Sequence, residues 1–372
     1  MHKQSVTVAA LFAATSLLSA QEPSGRPPEK SAAQAEQAAM PDPKQPEHEA
    51  LRTLAGTWHS KVRMAAMPGV PGMEKPSEAE GIEHAELVCG GLWLQWTSEG
   101  EFNGQPFQGL WLAGYDPFEK QYVSVWADSN EAKPTEITGT YDAAKNRWEW
   151  RGTGEFGAMR SEIVWQDADT MVETSWLTPP GGDEVQTMQA TRTRSKAKSA
   201  TTAVTEATLR DVAKDSPALA ALHADIGTWQ ATVRSTVDPA APPTEEKGRE
   251  RVTPICGGKY TWSNFSGSMM GAPFEGHALV GYDPTEQEFV CYWIDSMSPT
   301  WARTTGKFEP DADSLTMTGR CRCPDGRMMR MTEVMTREGE NSRSRRMEFE
   351  VEGEPGKHVM EIDYVRDGDA KR

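Results

Sequence analysis

Hydrophobic and polar residues alternate with a period of two through most of this chain, the pattern of strands that bury one face. The segment 121–128 sets Tyr122, Ser124, Trp126 and Asp128 on one face and Val123, Val125 and Ala127 on the other. A second segment repeats it, with Phe289, Cys291, Trp293 and Asp295 against Val290, Tyr292 and Ile294. Turn signals punctuate the alternation at short intervals: Asn103-Gly104, Asp116-Pro117, Asp283-Pro284 and Pro179-Pro180-Gly181-Gly182. Helical signals occur at two places. Ser216-Pro217 before Ala218–Leu222 reads as an N-cap with Pro at the first helical position, and Pro46 before Glu47–Leu51 reads likewise.

These two places open two copies of one module. Gly56-Thr57-Trp58 recurs as Gly227-Thr228-Trp229, and Cys89-Gly90-Gly91 as Cys256-Gly257-Gly258. Gly104, Pro106, Phe107 and Gly109 recur as Gly271, Pro273, Phe274 and Gly276. Gly114-Tyr115-Asp116-Pro117 recurs as Gly281-Tyr282-Asp283-Pro284, and Trp126-Ala127-Asp128-Ser129 as Trp293-Ile294-Asp295-Ser296. From the Cys-Gly-Gly onward the pairs hold one spacing without a gap, which marks a tandem duplication. The expected organisation is a module over 47–194, a Lys/Ser/Ala/Thr-rich linker over 195–205 and a second module over 206–368.

About ten short strands per module predict an all-β fold. An open antiparallel sheet of that size leaves two bare edges, which closure removes. Closure also makes the first and last strands neighbours. Arg194 then lies over Trp58, and Arg366 over Trp229, a cation–π contact worth roughly 0.5–2 kcal/mol. Two tandem antiparallel barrels are expected, each preceded by a short helix.

Composition adds three constraints. The thirteen Trp residues argue for packed cores. A net charge of −16 repels phosphate backbones and anionic lipid, so neither nucleic acid nor a membrane surface is an expected partner. Lys3 followed by an apolar run to Ala20 has the form of a signal peptide over 1–20, too short for a membrane span, which predicts a periplasmic or extracellular protein. Residues 21–46, rich in Pro, Ala, Gln and Glu, read as a disordered tether. Export permits disulfides, but five cysteines leave at least one thiol unpaired and the sequence does not decide the pairing. Cys321 and Cys323 share a strand face.

Gly-x-Trp in a first strand with Arg in the last is similar to the signature of the calycins, the lipocalin and fatty-acid-binding barrels. The longer string from Gly267 to Pro299, with Met269-Met270-Gly271-Ala272-Pro273-Phe274-Glu275-Gly276 and Trp293-Ile294-Asp295-Ser296-Met297, resembles the bacterial domain-of-unknown-function family 1579. The first module matches less fully, with Asn103 for Met270 and Asn130 for Met297. The resemblance implies two calycin-like barrels and brings no activity or catalytic residues.

The inward candidates for a ligand pocket are Tyr122, Trp126, Asp128, Phe289, Trp293 and Asp295. An acid beside an indole orients a ligand's polar group or serves as a general base, whereas an acid ending a strand caps a turn. Haem-binding nitrobindins look like calycin barrels with a His ligand, which makes His84, His277 and His358 the candidates here. None has a His at its counterpart and no pair has metal-ligand spacing, so no haem and no metal site is expected. Met269, Met270, Met328, Met329 and Met331 offer soft copper(I) ligands or adaptable core filling. No nucleophile motif or phosphate loop is present. The expected function is non-enzymatic binding of a small, largely apolar molecule inside the barrels. The alternatives are an envelope interaction protein, with the repeats as a pseudo-symmetric pair, and an enzyme using Asp128 and Asp295.

Overall fold

The computed structural model describes residues 43–67, 73–102, 104–131, 133–154, 156–197, 203–236, 243–323 and 325–368. The expected signal peptide, most of the tether, the middle of the linker and Asn103 lie outside the described residues. In the first module the strands are β1 (Gly56–Met64), β2 (Ser77–Val88), β3 (Trp93–Phe102), β4 (Gln105–Asp116), β5 (Gln121–Asp128), β6 (Thr135–Asp142), β7 (Arg147–Gly154), β8 (Gly157–Trp165), β9 (Thr170–Thr178) and β10 (Val185–Arg194). The second module has β11 (Gly227–Thr236), β12 (Thr244–Ile255), β13 (Tyr260–Met269), β14 (Ala272–Asp283) and β15 (Glu288–Asp295). It continues with β16 (Ala302–Glu309), β17 (Ser314–Arg322), β18 (Met328–Arg337), β19 (Ser342–Val351) and β20 (His358–Arg366). Each set forms a closed barrel in which every strand pairs with its chain neighbours and the last returns to the first. The all-β expectation of two ten-stranded antiparallel barrels holds.

Closure is in register. Trp58 stands opposite Arg194 and Trp229 opposite Arg366. The guanidinium carbons lie 4.3 and 4.1 Å from the indole centroids. The glycine two residues before each Trp makes this approach feasible. Gly56 and Gly227 adopt φ of +142° and +145°, and a Cβ at either would collide with the guanidinium of Arg194 or Arg366.

A short helix floors each barrel. In the first, α1 (His48–Leu51) runs into a 3-10 turn, and Leu51 and Leu54 are fully buried. Its last carbonyls are bonded from below: Trp58 Nε1 donates to Leu54 O (3.0 Å), and Arg194 donates to Ala55 O and Thr53 O (2.9 and 3.2 Å). An additional helix absent from the pattern, α2 (Glu206–Ala213), precedes the second module and is capped by Thr205. Then α3 (Pro217–Ala224), capped by Ser216, floors the second barrel, with Trp229 Nε1 on Asp225 O and Arg366 on Ile226 O and Ala224 O.

The two barrels meet wall to wall. Outward-facing Val88, Leu92, Trp93, Leu110 and Leu112 form one hydrophobic cluster with Tyr260, Trp262, Leu279, Tyr292 and Ile294. The seam is pseudo-two-fold: Glu275 Oε2 accepts from Cys89 N at 3.0 Å, and its counterpart Gln108 Oε1 accepts from Gly257 N at 3.2 Å. The second face of the alternation, Val123, Val125 and Ala127, is thus buried against the sister module. Among the described residues no helix is long and apolar enough to cross a membrane.

Candidate functional site

Strand register decides what the lumens hold. Gly109, Trp111, Ala113 and Tyr115 on β4 stand opposite Asp128, Trp126, Ser124 and Tyr122 on β5, and the face continues to Trp96 on β3 and Trp150 on β7. It also carries Trp58, so Tyr122, Trp126 and Asp128 line the first barrel. The same register turns Phe289, Trp293 and Asp295 into the second.

Each of the two aspartates accepts three local hydrogen bonds. Asp128 Oδ2 accepts from Trp126 Nε1 (2.8 Å), and Oδ1 accepts from the backbone N–H of Asn130 and Glu131 (2.6 and 2.8 Å). Asp295 repeats the set with Trp293 Nε1 (2.9 Å) and the N–H groups of Met297 and Ser298 (2.8 and 2.9 Å). Each carboxylate fixes its indole and closes a turn after its strand. Burial pushes Asp295 up to about 6 despite these bonds.

The first lumen is an aromatic chamber with a charged belt. Trp96 and Trp111 lie 6.0 Å apart, Trp111 and Trp150 4.9 Å edge to face, and Trp148 stacks on Trp150 at 5.6 Å. Arg192 bridges Glu83 (2.5 Å) and Glu173 (2.7 Å), and Trp96 Nε1 donates to Glu83 (3.1 Å). Among the described residues the buried indole N–H groups of Trp148, Trp150 and Trp165 have no hydrogen-bond partner. Val62, Trp111, Trp126, Ile137, Met159, Ser161 and Met188 point inward yet stay partly accessible to solvent.

The second lumen is more tightly packed at positions where the lining of the first stays partly accessible to solvent. Phe265 stands where the first barrel has Ser98, its ring over Gly248, and Phe274 meets it edge to face at 6.0 Å. Met269, Met297, Cys323, Met329, Phe349 and Val351 complete a buried layer. Leu315 and Met317 replace the donors Trp148 and Trp150. Below this layer Arg343 pairs with Glu250 and with Asp225 (3.1 Å), while Arg345 sits 3.6 Å from Glu333. All five cysteines are free thiols; Cys321 and Cys323 both face this lumen, where burial raises them to about 12 and 11. The methionines weighed as copper ligands divide: Met329 and Met331 pack in the lumen with Met269 and Met270, and Met328 takes the opposite face of β18.

The three histidines weighed for haem are dispersed. His84 lies on the outer wall beside Thr57, His277 in the seam, and His358 in the second barrel 3.2 Å from Glu354. A separate open groove of about 450 Å³ runs along the outside of β5–β7, bordered by Val123, Glu136, Arg151 and Trp301 of the other module.

The chain is similar to the S-type phycobiliprotein lyase CPES from Guillardia theta, at 12% identity and TM-score 0.32, over 42% of this chain and 97% of that one. It is similar to Rv2717c from M. tuberculosis at 17% identity and TM-score 0.33, over 41% of this chain and 99% of that one. A DUF3598 protein from Nostoc punctiforme matches over 87% of this chain and 100% of that one, at 10% identity and TM-score 0.25. No curated protein matches it in sequence. A family profile covers residues 43–194 and again 216–366, so the chain belongs, twice over, to the family described as "Protein of unknown function (DUF1579)".

Proposed function

We propose that this is an exported binding protein whose first barrel takes up a small, largely apolar molecule carrying hydrogen-bond acceptors. The observation that carries the reading is the set of three buried, unpartnered indole N–H groups in an aromatic chamber. A buried donor without a partner costs about 1–3 kcal/mol, and a ligand acceptor recovers it. Aromatic walls with a few convergent polar groups are the usual make-up of a small-molecule site. The structural bonds that Asp128 and Asp295 make to an indole and a turn favour binding over catalysis. Export rests on the leader pattern at residues 1–20, and N-terminal sequencing of the mature protein from a fractionated cell tests it separately.

The binding test compares the full chain with its Ser98→Phe variant. In barrel two the Phe at this position lies over Gly248, and the first barrel has Gly81 at the same place, so the substitution copies a side chain that the sister lumen accommodates. The wild-type chain is expected to bind an anilinonaphthalene dye in saturable fashion, with quenching of Trp emission. Ser98→Phe is expected to weaken that binding at least tenfold at unchanged melting temperature. Equal dye binding by both proteins, or none by either, overturns the proposal.

A further inference from the structure

The seam gathers chemistry that neither lumen uses. Cys89 opens the 3-10 turn after β2, while Glu275 and His277 are alternate residues of β14 and share one outward face. Docking of the modules brings the three together: a ligand atom of each lies within 4.8 Å of the other two. Cys89 is fully buried and His277 nearly so, whereas Glu275 keeps one side open to solvent.

The hydrogen bonds of His277 leave a conflict. Its Nδ1 faces Asn264 Oδ1 at 2.8 Å, and its Nε2 faces Glu275 Oε1 at 2.9 Å. An amide oxygen accepts only, so Nδ1 holds the hydrogen of the neutral ring. Bare Nε2 then meets a carboxylate oxygen, acceptor against acceptor. A metal cation, a proton on Nε2, or a turned Asn264 amide whose NH2 donates to Nδ1 relieves the contact. The ring is held in place by stacking on Trp262, 5.1 Å away and 4° from parallel. An imidazole whose far nitrogen is anchored to an oxygen acceptor is the usual arrangement of a metal-binding histidine.

The opposite corner of the seam supplies an internal control. There the counterparts are Cys256, Gln108 and Leu110, and they make a plain contact: Gln108 accepts from Gly257 N, and Cys256 Sγ approaches Ala127 O at 3.6 Å. The turn and the docking therefore need neither a carboxylate nor an imidazole. Glu275 and His277 are additions on one side only.

We propose that Cys89, Glu275 and His277 form a binding site for a zinc-class divalent cation that bridges the two modules. Zn–S and Zn–N distances of about 2.3 and 2.0–2.1 Å set ligand atoms roughly 3–4 Å apart, so a closure of about an ångström completes the set. The solvent-facing side of Glu275 admits the ion and leaves a fourth position for water. Binding releases one proton, from the Cys89 thiol, and the thiolate and carboxylate together neutralise the ion's double charge.

The test is a cobalt(II) titration of the reduced, chelator-stripped full chain. Expected are one equivalent bound per chain, a thiolate-to-cobalt charge-transfer band, displacement by zinc, and a melting temperature raised by zinc. The double variant Glu275→Gln/His277→Leu copies the opposite corner, so its melting in chelator should match wild type while the band and the zinc effect disappear. Cys256→Ala should keep both. No saturable cobalt binding by the wild-type chain, or a band that survives the double variant, overturns the proposal.

Discussion

The two barrels share strand count, register and closure, yet more of the lining stays accessible to solvent in the first than in the second. The difference traces to few positions. Ser98, Trp148 and Trp150 in the first barrel are matched by Phe265, Leu315 and Met317 in the second. Val62, Trp111 and Ile137 stay partly accessible, whereas their counterparts Val233, Ala278 and Thr304 are buried. The framework was retained in both copies, and the lining diverged. A lumen-facing residue can change without disturbing the ladder, because successive side chains leave opposite faces of a strand.

The largest effect expected is at the charged belt of the open barrel. Arg192→Met leaves Glu83 and Glu173 buried without their cation and should cost up to about 5 kcal/mol in a urea titration. A cost below 1 kcal/mol would mean that the chamber is wet enough to solvate both acids.

The filled barrel supplies the next. Phe265→Ser removes the ring beneath Phe274 and should cost about 3–4 kcal/mol while creating dye uptake in the second barrel. Loss of stability without uptake would separate filling from gating.

Acid titration comes third. Burial holds Asp295 at about 6 against an ordinary 3.8, so the folded chain takes up this proton before the unfolded chain does. Its contribution to stability therefore rises as pH falls from about 6 to 3.8, by roughly 2–3 kcal/mol. The gain is read as the difference between wild type and Asp295→Asn, and a flat difference over that window refutes it.

The smallest effect is the most symmetric. Arg194→Ala and Arg366→Ala each lose a cation–π contact and helix-end hydrogen bonds, and each should cost about 1–2 kcal/mol. Unequal costs would show that closure contributes differently in the two copies.

Much of this architecture was legible in the amino-acid pattern. Alternation placed Tyr122, Trp126 and Asp128 on one face, and the Trp–Arg spacing named the strands that meet. What was not legible depends on contacts between distant strands. How tightly a lumen packs turns on whether a ring from the neighbouring strand lies over Gly248, as that of Phe265 does, and no single segment records it. The pattern alone does not choose between catalysis and capping for Asp128; the N–H groups of Asn130 and Glu131 on its Oδ1 show the turn cap. His277 gave no sign of a ligand partner because Cys89 lies in the other module. One clue was available: β5 is apolar on both faces, which a free-standing barrel wall does not require.

The in-register meeting of Trp58 with Arg194, and of Trp229 with Arg366, has a consequence for how such a chain diversifies. Each barrel begins and ends at the same pole, beside its helical floor, so the covalent joints never cross the opposite rim. A duplicated copy can be appended at that pole while both rims stay clear of the connection. Substitutions around one rim then accumulate independently of the sister's, and one gene acquires two differently tuned vessels on a single handle.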